Sequence, residues 1–159
     1  MINIVFFGTP AIALKSLEYL YNSDKINVLA VVTQPDKPAG RGHKLSMSPI
    51  KQFALEKNLP VFQPKLIRKE PDIQDEIKKL NPDFFVTFAF GQILSQDVLD
   101  IPKYETINLH ASLLPKYRGI GRHDKMRNRA DEFRDTAGNH PDLGIGQKGT
   151  ISYLMTNKN

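Results

Sequence analysis

Short apolar blocks, each about one strand long, alternate with stretches of helical periodicity up to about residue 119. Residues 2–7 are a β-branched and aromatic run that ends in Gly8-Thr9-Pro10, which predicts a buried strand and a turn. Pro10 suits the first position of a helix. Ile12, Leu14, Leu17, Leu20 and Tyr21 space that helix over 11–21. Residues 27–33 read as a second strand, apolar on both faces. Residues 34–48 hold Pro35, Pro38, Gly40 and Gly42 and read as a long loop. Ser48-Pro49 looks like an N-cap followed by proline at N1, opening a helix over 50–58. A short third strand covers 59–62, and Ile73, Ile77 and Leu80 mark an amphipathic helix over 70–80. Asn81-Pro82-Asp83 turns into a fourth strand over 84–90, a short helix follows over 93–99, and a fifth strand lies within 106–114.

Alternating strands and helices, with strands apolar on both faces, imply a parallel sheet covered on both sides. The expected fold is therefore α/β and Rossmann-like, a mostly parallel sheet flanked by helices. Ligands of such sheets bind beyond the carboxyl ends of the strands. That rule selects residues 8–10, 34–48, 88–94 and 108–119 as candidate site segments.

After residue 119 the pattern changes. Residues 120–138 are rich in charges of both signs, and only Met126, Ala130 and Phe133 form a thin helical stripe. Residues 139–149 are turn-rich, and 150–155 suit one short strand. The expected organisation is an incomplete domain over 1–119 and an atypical tail over 120–159. A parallel sheet ending there would expose an edge and apolar surface, so self-association is also expected.

Composition narrows the chemistry. The 159 residues are 40% apolar and 25% charged, which suits a globular chain with a core. There is no cysteine, which excludes disulfides, zinc–thiolate sites and a cysteine nucleophile. No stretch is long and apolar enough to span a membrane, and no signal peptide pattern opens the chain. A cytoplasmic location is expected. The net charge of +5 is only weak support for an anionic partner. His43, His110, His123 and His140 lack metal-ligand spacing, so no metal is expected. Residues 144–149 match G-x-G-x-x-G, but the string lacks a preceding strand and following helix. Arg122, Lys125, Arg127, Arg129 and Arg134 are diluted by interleaved acids and read as a solvated face.

The strongest constellation is Asn108-x-His110 followed by a loop bearing Pro115 and Gly119. Residues two apart on a strand point to one face. An amide donor beside an imidazole suits acyl transfer to an amine, the amide for the developing oxyanion and the imidazole for the proton. A structural histidine fits the same spacing. Lys37, Arg41, His43 and Lys44 make the 34–48 segment basic, which suits either a solvated loop or phosphate contacts.

Five segments together carry a resemblance. FFGTP (6–10), VVTQPDKPAGRGHKL (31–45), SPIKQFA (48–54), NPDFFVTFAFGQIL (81–94) and INLHASLLPKYRG (107–119) resemble the folate-dependent formyltransferases, within them the branch that formylates methionyl-tRNA. The resemblance implies a transferase of translation initiation that moves a formyl group from 10-formyltetrahydrofolate to the α-amine of initiator methionyl-tRNA. It implies Asn108 and His110 as the catalytic pair. It implies donor binding by Phe88, Phe90, Gly91, Gln92, Ile93 and Leu94, with Ser112, Leu113, Leu114 and Pro115 shaping the other side. Lys37, Arg41, His43 and Lys44 match the element that approaches the tRNA.

The resemblance ends near Gly119. The family carries a catalytic aspartate roughly 36 residues after the histidine, where this chain has Gly146; Asp142 is the nearest acid in that neighbourhood. The family also carries a small β-barrel domain, so the expectation is a truncated chain without that barrel and with a severe loss of rate. The alternatives are an inactive folate- or RNA-binding remnant, a frameshifted fragment, or N-formylation of a sugar amine.

Overall fold

The computed structural model describes residues 1–42, 44–110 and 150–154. The elements follow the order expected from the apolar pattern. Strand β1 (Ile2–Gly8) leads into helix α1 (Ala11–Asn22), then β2 (Ile26–Val32). Two short strands, β3 (Lys37–Ala39) and β4 (Lys44–Ser46), precede α2 (Pro49–Glu56) and β5 (Val61–Phe62). A 3-10 turn (Ile67–Lys69) and α3 (Pro71–Lys79) lead to β6 (Phe84–Phe88). Helix α4 (Gln96–Leu99), β7 (Glu105–His110) and β8 (Thr150–Leu154) complete the described elements.

The main sheet has the order β5-β2-β1-β6-β7-β8. The chain winds outward from β1 to β2 and β5, then returns to the other side of β1 for β6 and β7. Pairings from β5 to β7 are parallel, and β8 runs antiparallel to β7. The edge of β7 expected to stand open is thus paired by β8, with Thr106↔Leu154 and His110↔Thr150 at the two ends of the register.

Strand alternation sends alternate residues to the two faces of the sheet. One face buries Val5, Phe7, Ala30, Val32 and Phe85 against Ile67, Ile77, Phe90, Leu94, Val98 and Leu99. The other buries Ile4, Phe6, Val28, Val31 and Val86 against Ala13 and Leu17 of α1 and Ile50, Phe53 and Ala54 of α2. The result is a three-layer α/β arrangement, as the doubly apolar strands require. Phe7 meets Phe85 and Phe90 at ring-centroid distances of 4.7 and 5.3 Å, the latter edge-on.

Local differences from the sequence expectation have physical causes. Residues 34–48 are not a plain loop, because Lys37↔Ser46, Pro38↔Leu45 and Ala39↔Lys44 pair as a hairpin. Gly40 and Gly42 take φ of 72° and 103°, which lets the chain reverse there. β6 stops at Phe88 because Ala89 turns to φ 51°. α4 starts only at Gln96, after an irregular stretch that begins at Gly91 with φ 91°. The Ser48 cap behaves as expected: its hydroxyl accepts the Lys51 N–H at 3.0 Å, and Pro49 follows. The short strand expected over 150–155 is present as β8. The helical stripe of Met126, Ala130 and Phe133, the 144–149 string, Asp142 and Gly146 lie outside the described residues. Among the described residues no helix is long and apolar enough to cross a membrane.

Candidate active site at the carboxyl edge of the sheet

The winding reverses between β1 and β6, so the loops after these strands diverge from a common point. Such a switch point is where a crevice opens in sheets of this kind. Here Thr9 ties three loops together. Its hydroxyl donates to the Phe90 carbonyl at 2.9 Å and accepts the Gln34 N–H at 3.3 Å.

The 88–94 loop leaves β6 with its backbone bent twice, at Ala89 and Gly91. The loop is anchored from behind. Phe90 and Leu94 turn into the core and are 4% and 8% exposed. Gln92 spends its amide on the protein: Nε2 donates to Gln34 Oε1 and to the Pro64 carbonyl, both at 2.8 Å, and Oε1 accepts the Ile67 N–H at 2.9 Å. Ile93 faces solvent at 46% exposure, Gly91 is exposed, and Phe88 is half-buried. An exposed apolar side chain on a braced loop is a rigid wall of the kind a flat heteroaromatic ring can lie on. Ile93 therefore offers an apolar surface to solvent at the carboxyl edge.

Asn108 lies one strand over. In the β6/β7 register it pairs with Thr87, and Thr87 Oγ1 donates to Asn108 Oδ1 at 2.9 Å. Thr87 is 7% exposed, so this bond forms in a water-poor setting where it holds strongly. The bond fixes the amide's orientation, with Oδ1 as acceptor and Nδ2 as the donor end. His110 is two residues on, the last residue of the same strand.

The basic residues Lys37, Arg41 and Lys44 are brought together on the β3–β4 hairpin, all exposed. Asp36 anchors the hairpin's base. Its carboxylate takes Lys51 Nζ at 2.9 Å and Gln63 Nε2 at 2.8 Å. The hydrogen bond from Lys51, and then that from Gln63, hold the Asp36 carboxyl below its ordinary value. Ser48 and the buried Thr33 share a further hydroxyl bond of 2.7 Å beneath this base. His43, Ser112, Leu113, Leu114 and Pro115 lie outside the described residues. Among the described residues no cluster of three His, Asp or Glu side chains is placed to hold a metal ion.

Sequence reasoning missed Lys51, Gln63 and Thr87 as parts of the site, and it gave Thr9, Gln34 and Asp36 no individual role although they fall in the candidate segments 8–10 and 34–48. One signal was present: a glutamine stands shortly past each of the strands β2, β5 and β6.

Comparisons with known proteins bear on the family and the fold. The sequence pattern of the formyl transferase family matches residues 2–133. The methionyl-tRNA formyltransferase of Clostridium perfringens strain 13 is 59% identical over 116 residues, 73% of this chain and 37% of that protein. The methionyl-tRNA formyltransferase of Thermosynechococcus vestitus is 52% identical over 117 residues, 74% of this chain and 35% of that protein. The matched segment thus spans little more than a third of the length of these relatives. Among solved structures, glycinamide ribonucleotide transformylase 1 from Geobacillus kaustophilus aligns with a TM-score of 0.57, covering 100% of this chain and 86% of that one. At 17% identity that likeness speaks for the fold alone.

Proposed function

The chain belongs to the formyl transferase family, and from that premise we propose that it transfers the formyl group of 10-formyltetrahydrofolate to the α-amine of methionyl-tRNA. The observation that supports this reading is the Thr87–Asn108 bond at 2.9 Å, which holds Asn108 by its Oδ1 on the strand beside β6, the strand that leads into the braced 88–94 loop. The high identity to methionyl-tRNA formyltransferases supports the choice of acceptor.

10-Formyltetrahydrofolate would supply the formyl carbon, its ring held by Gly91 and Ile93 of the loop. Nδ2 of Asn108 would hydrogen-bond the formyl oxygen as negative charge develops on it. The imidazole of His110 would take the proton released by the attacking amine and pass it to N10 as the bond from the formyl carbon to N10 breaks, so that tetrahydrofolate leaves. Lys37, Arg41 and Lys44, with His43, would meet phosphates of the tRNA, so binding should weaken steeply with salt. Counting along the family pattern puts its catalytic carboxylate at position 146, where this sequence has Gly146, so turnover is expected to be slow; recovery in Gly146→Asp would support that alignment and no recovery would reject it.

Single-turnover transfer tests the reading. N-formylmethionyl-tRNA should form from the two substrates, and Asn108→Ala should slow it by about 10²–10³-fold. Faster transfer to an amino sugar than to methionyl-tRNA would overturn the choice of acceptor.

A further inference from the structure

Three glutamines stand past strand ends on the carboxyl edge: Gln34 after β2, Gln63 after β5 and Gln92 after β6. Only Gln92 carries a sequence-based role. All three are half-buried and joined in one line of hydrogen bonds. Gln92 Nε2 donates to Gln34 Oε1 at 2.8 Å. The Gln34 carbonyl accepts Gln63 Nε2 at 3.3 Å, and Gln63 Nε2 also donates to Asp36 at 2.8 Å. Asp36 is the residue before β3. The line therefore runs unbroken from the base of the basic hairpin to the 88–94 loop, and Gln34 is its midpoint.

Gly91 makes the line possible. A Cβ at that position would stand 2.8 Å from Gln34 Nε2, and its φ of 91° is one that side chains resist. The loop is thus built around the Gln34 amide. Gln34 acts on both flanks by different groups, the side chain toward Gln92 and the main chain toward Gln63. Its own N–H is held by Thr9, which also holds Phe90.

We propose that Gln34 is a positioning residue that sets the basic hairpin and the 88–94 loop in one register. The names of the two flanks, acceptor side and donor side, rest on the function proposed above. The mechanical link between them does not. If the link is real, loosening one flank loosens the other, although among the described residues no hydrogen bond joins the hairpin's strands to the loop directly. Two loops that move together would present donor and acceptor at a constant separation, which a transfer reaction needs.

Hydrogen exchange of the full chain, resolved at residues 37–46, 67 and 89–94, tests this without any substrate. The Ile67 amide reports on Gln92 directly, because Gln92 is its acceptor. Gln34→Met removes the acceptor for Gln92 and should speed exchange at Ile67 and in the hairpin by about fivefold, the equivalent of one lost hydrogen bond. Gly91→Ala should give the same pattern from the opposite partner. Gln63→Met should speed exchange in the hairpin and, across Gln34, at Ile67. Gln34→Glu keeps an acceptor for Gln92 and should restore the wild-type rates. Amides of β1 monitor the fold in every variant; should Gln34→Met unfold, Gln63→Met carries the same test from the other side. Changes confined to the loop that was altered would overturn the link, as would failure of Gln34→Glu to restore protection. A coupled exchange pattern in a chain that transfers no formyl group would sustain the link and sink the functional reading alone.

Discussion

The hairpin and the 88–94 loop both follow strands at the carboxyl edge of the sheet, and they differ in what holds them. The loop is pinned by apolar side chains, Phe90 against Phe7 and Leu94 in the same cluster. The hairpin has no buried side chain among its described residues, and it hangs from polar bonds at Asp36, Lys51 and Gln63. Apolar burial ties the loop to the stability of the whole domain, whereas polar anchors leave the hairpin able to open locally at little cost. The division suits the two ligands proposed. A planar ring needs a wall that does not yield, and a phosphate backbone needs charges that can adjust.

The largest effect should separate the two regions outright. Phe90→Ala empties a core position and should cost about 3–5 kcal/mol in urea unfolding. Leu45→Ala, on the hairpin at 69% exposure, should stay within about 0.5 kcal/mol. Similar losses at both positions would erase the distinction.

Thr87→Val should come next. It keeps the shape of the side chain but removes the donor to Asn108 Oδ1. The loss of one such hydrogen bond costs about 0.5–1.5 kcal/mol. Formyl transfer should fall by up to about tenfold while the melting transition moves only modestly. An unchanged rate would show that Thr87 does not orient Asn108.

Much of this was legible before the structure. The doubly apolar strands announced a covered parallel sheet, and Ser48-Pro49 announced the start of α2. The Asn108-x-His110 spacing announced a pair on one strand. What stayed hidden depends on residues far apart in sequence. Gln34 and Gln92 meet only because β2 and β6 flank β1. Thr87 holds Asn108 only through a strand register that no local pattern specifies. The hairpin was hidden for a different reason: its described side chains are exposed, no apolar alternation marks its strands, and Pro38, Gly40 and Gly42 read as loop residues.

Two smaller effects sharpen the picture of the hairpin. Arg41→Ala should weaken methionyl-tRNA binding and lower the slope of log affinity against log salt by about one, because one phosphate contact is lost. Leaving the slope unchanged would place Arg41 away from the backbone.

The smallest effect concerns pH. Lys51 and Gln63 hold the Asp36 carboxyl below its ordinary value of 3.8. A carboxyl lowered in the folded state contributes stability that is fully present above its unfolded value and is lost as pH falls through its folded value. The hairpin's anchor should therefore hold from neutrality down to about pH 4 and loosen only below that. An acid titration of the Asp36 and Lys51 side-chain resonances would follow it. Loosening near neutrality would point to another group, and Asp36→Asn should abolish the acid step.

The most direct measurement is a single-turnover mixture of this chain, 10-formyltetrahydrofolate and methionyl-tRNA, run beside Asn108→Ala. The account expects slow formation of N-formylmethionyl-tRNA that the substitution reduces by about 10²–10³-fold. Product formed equally well by Asn108→Ala, or no product from either chain, would contradict it.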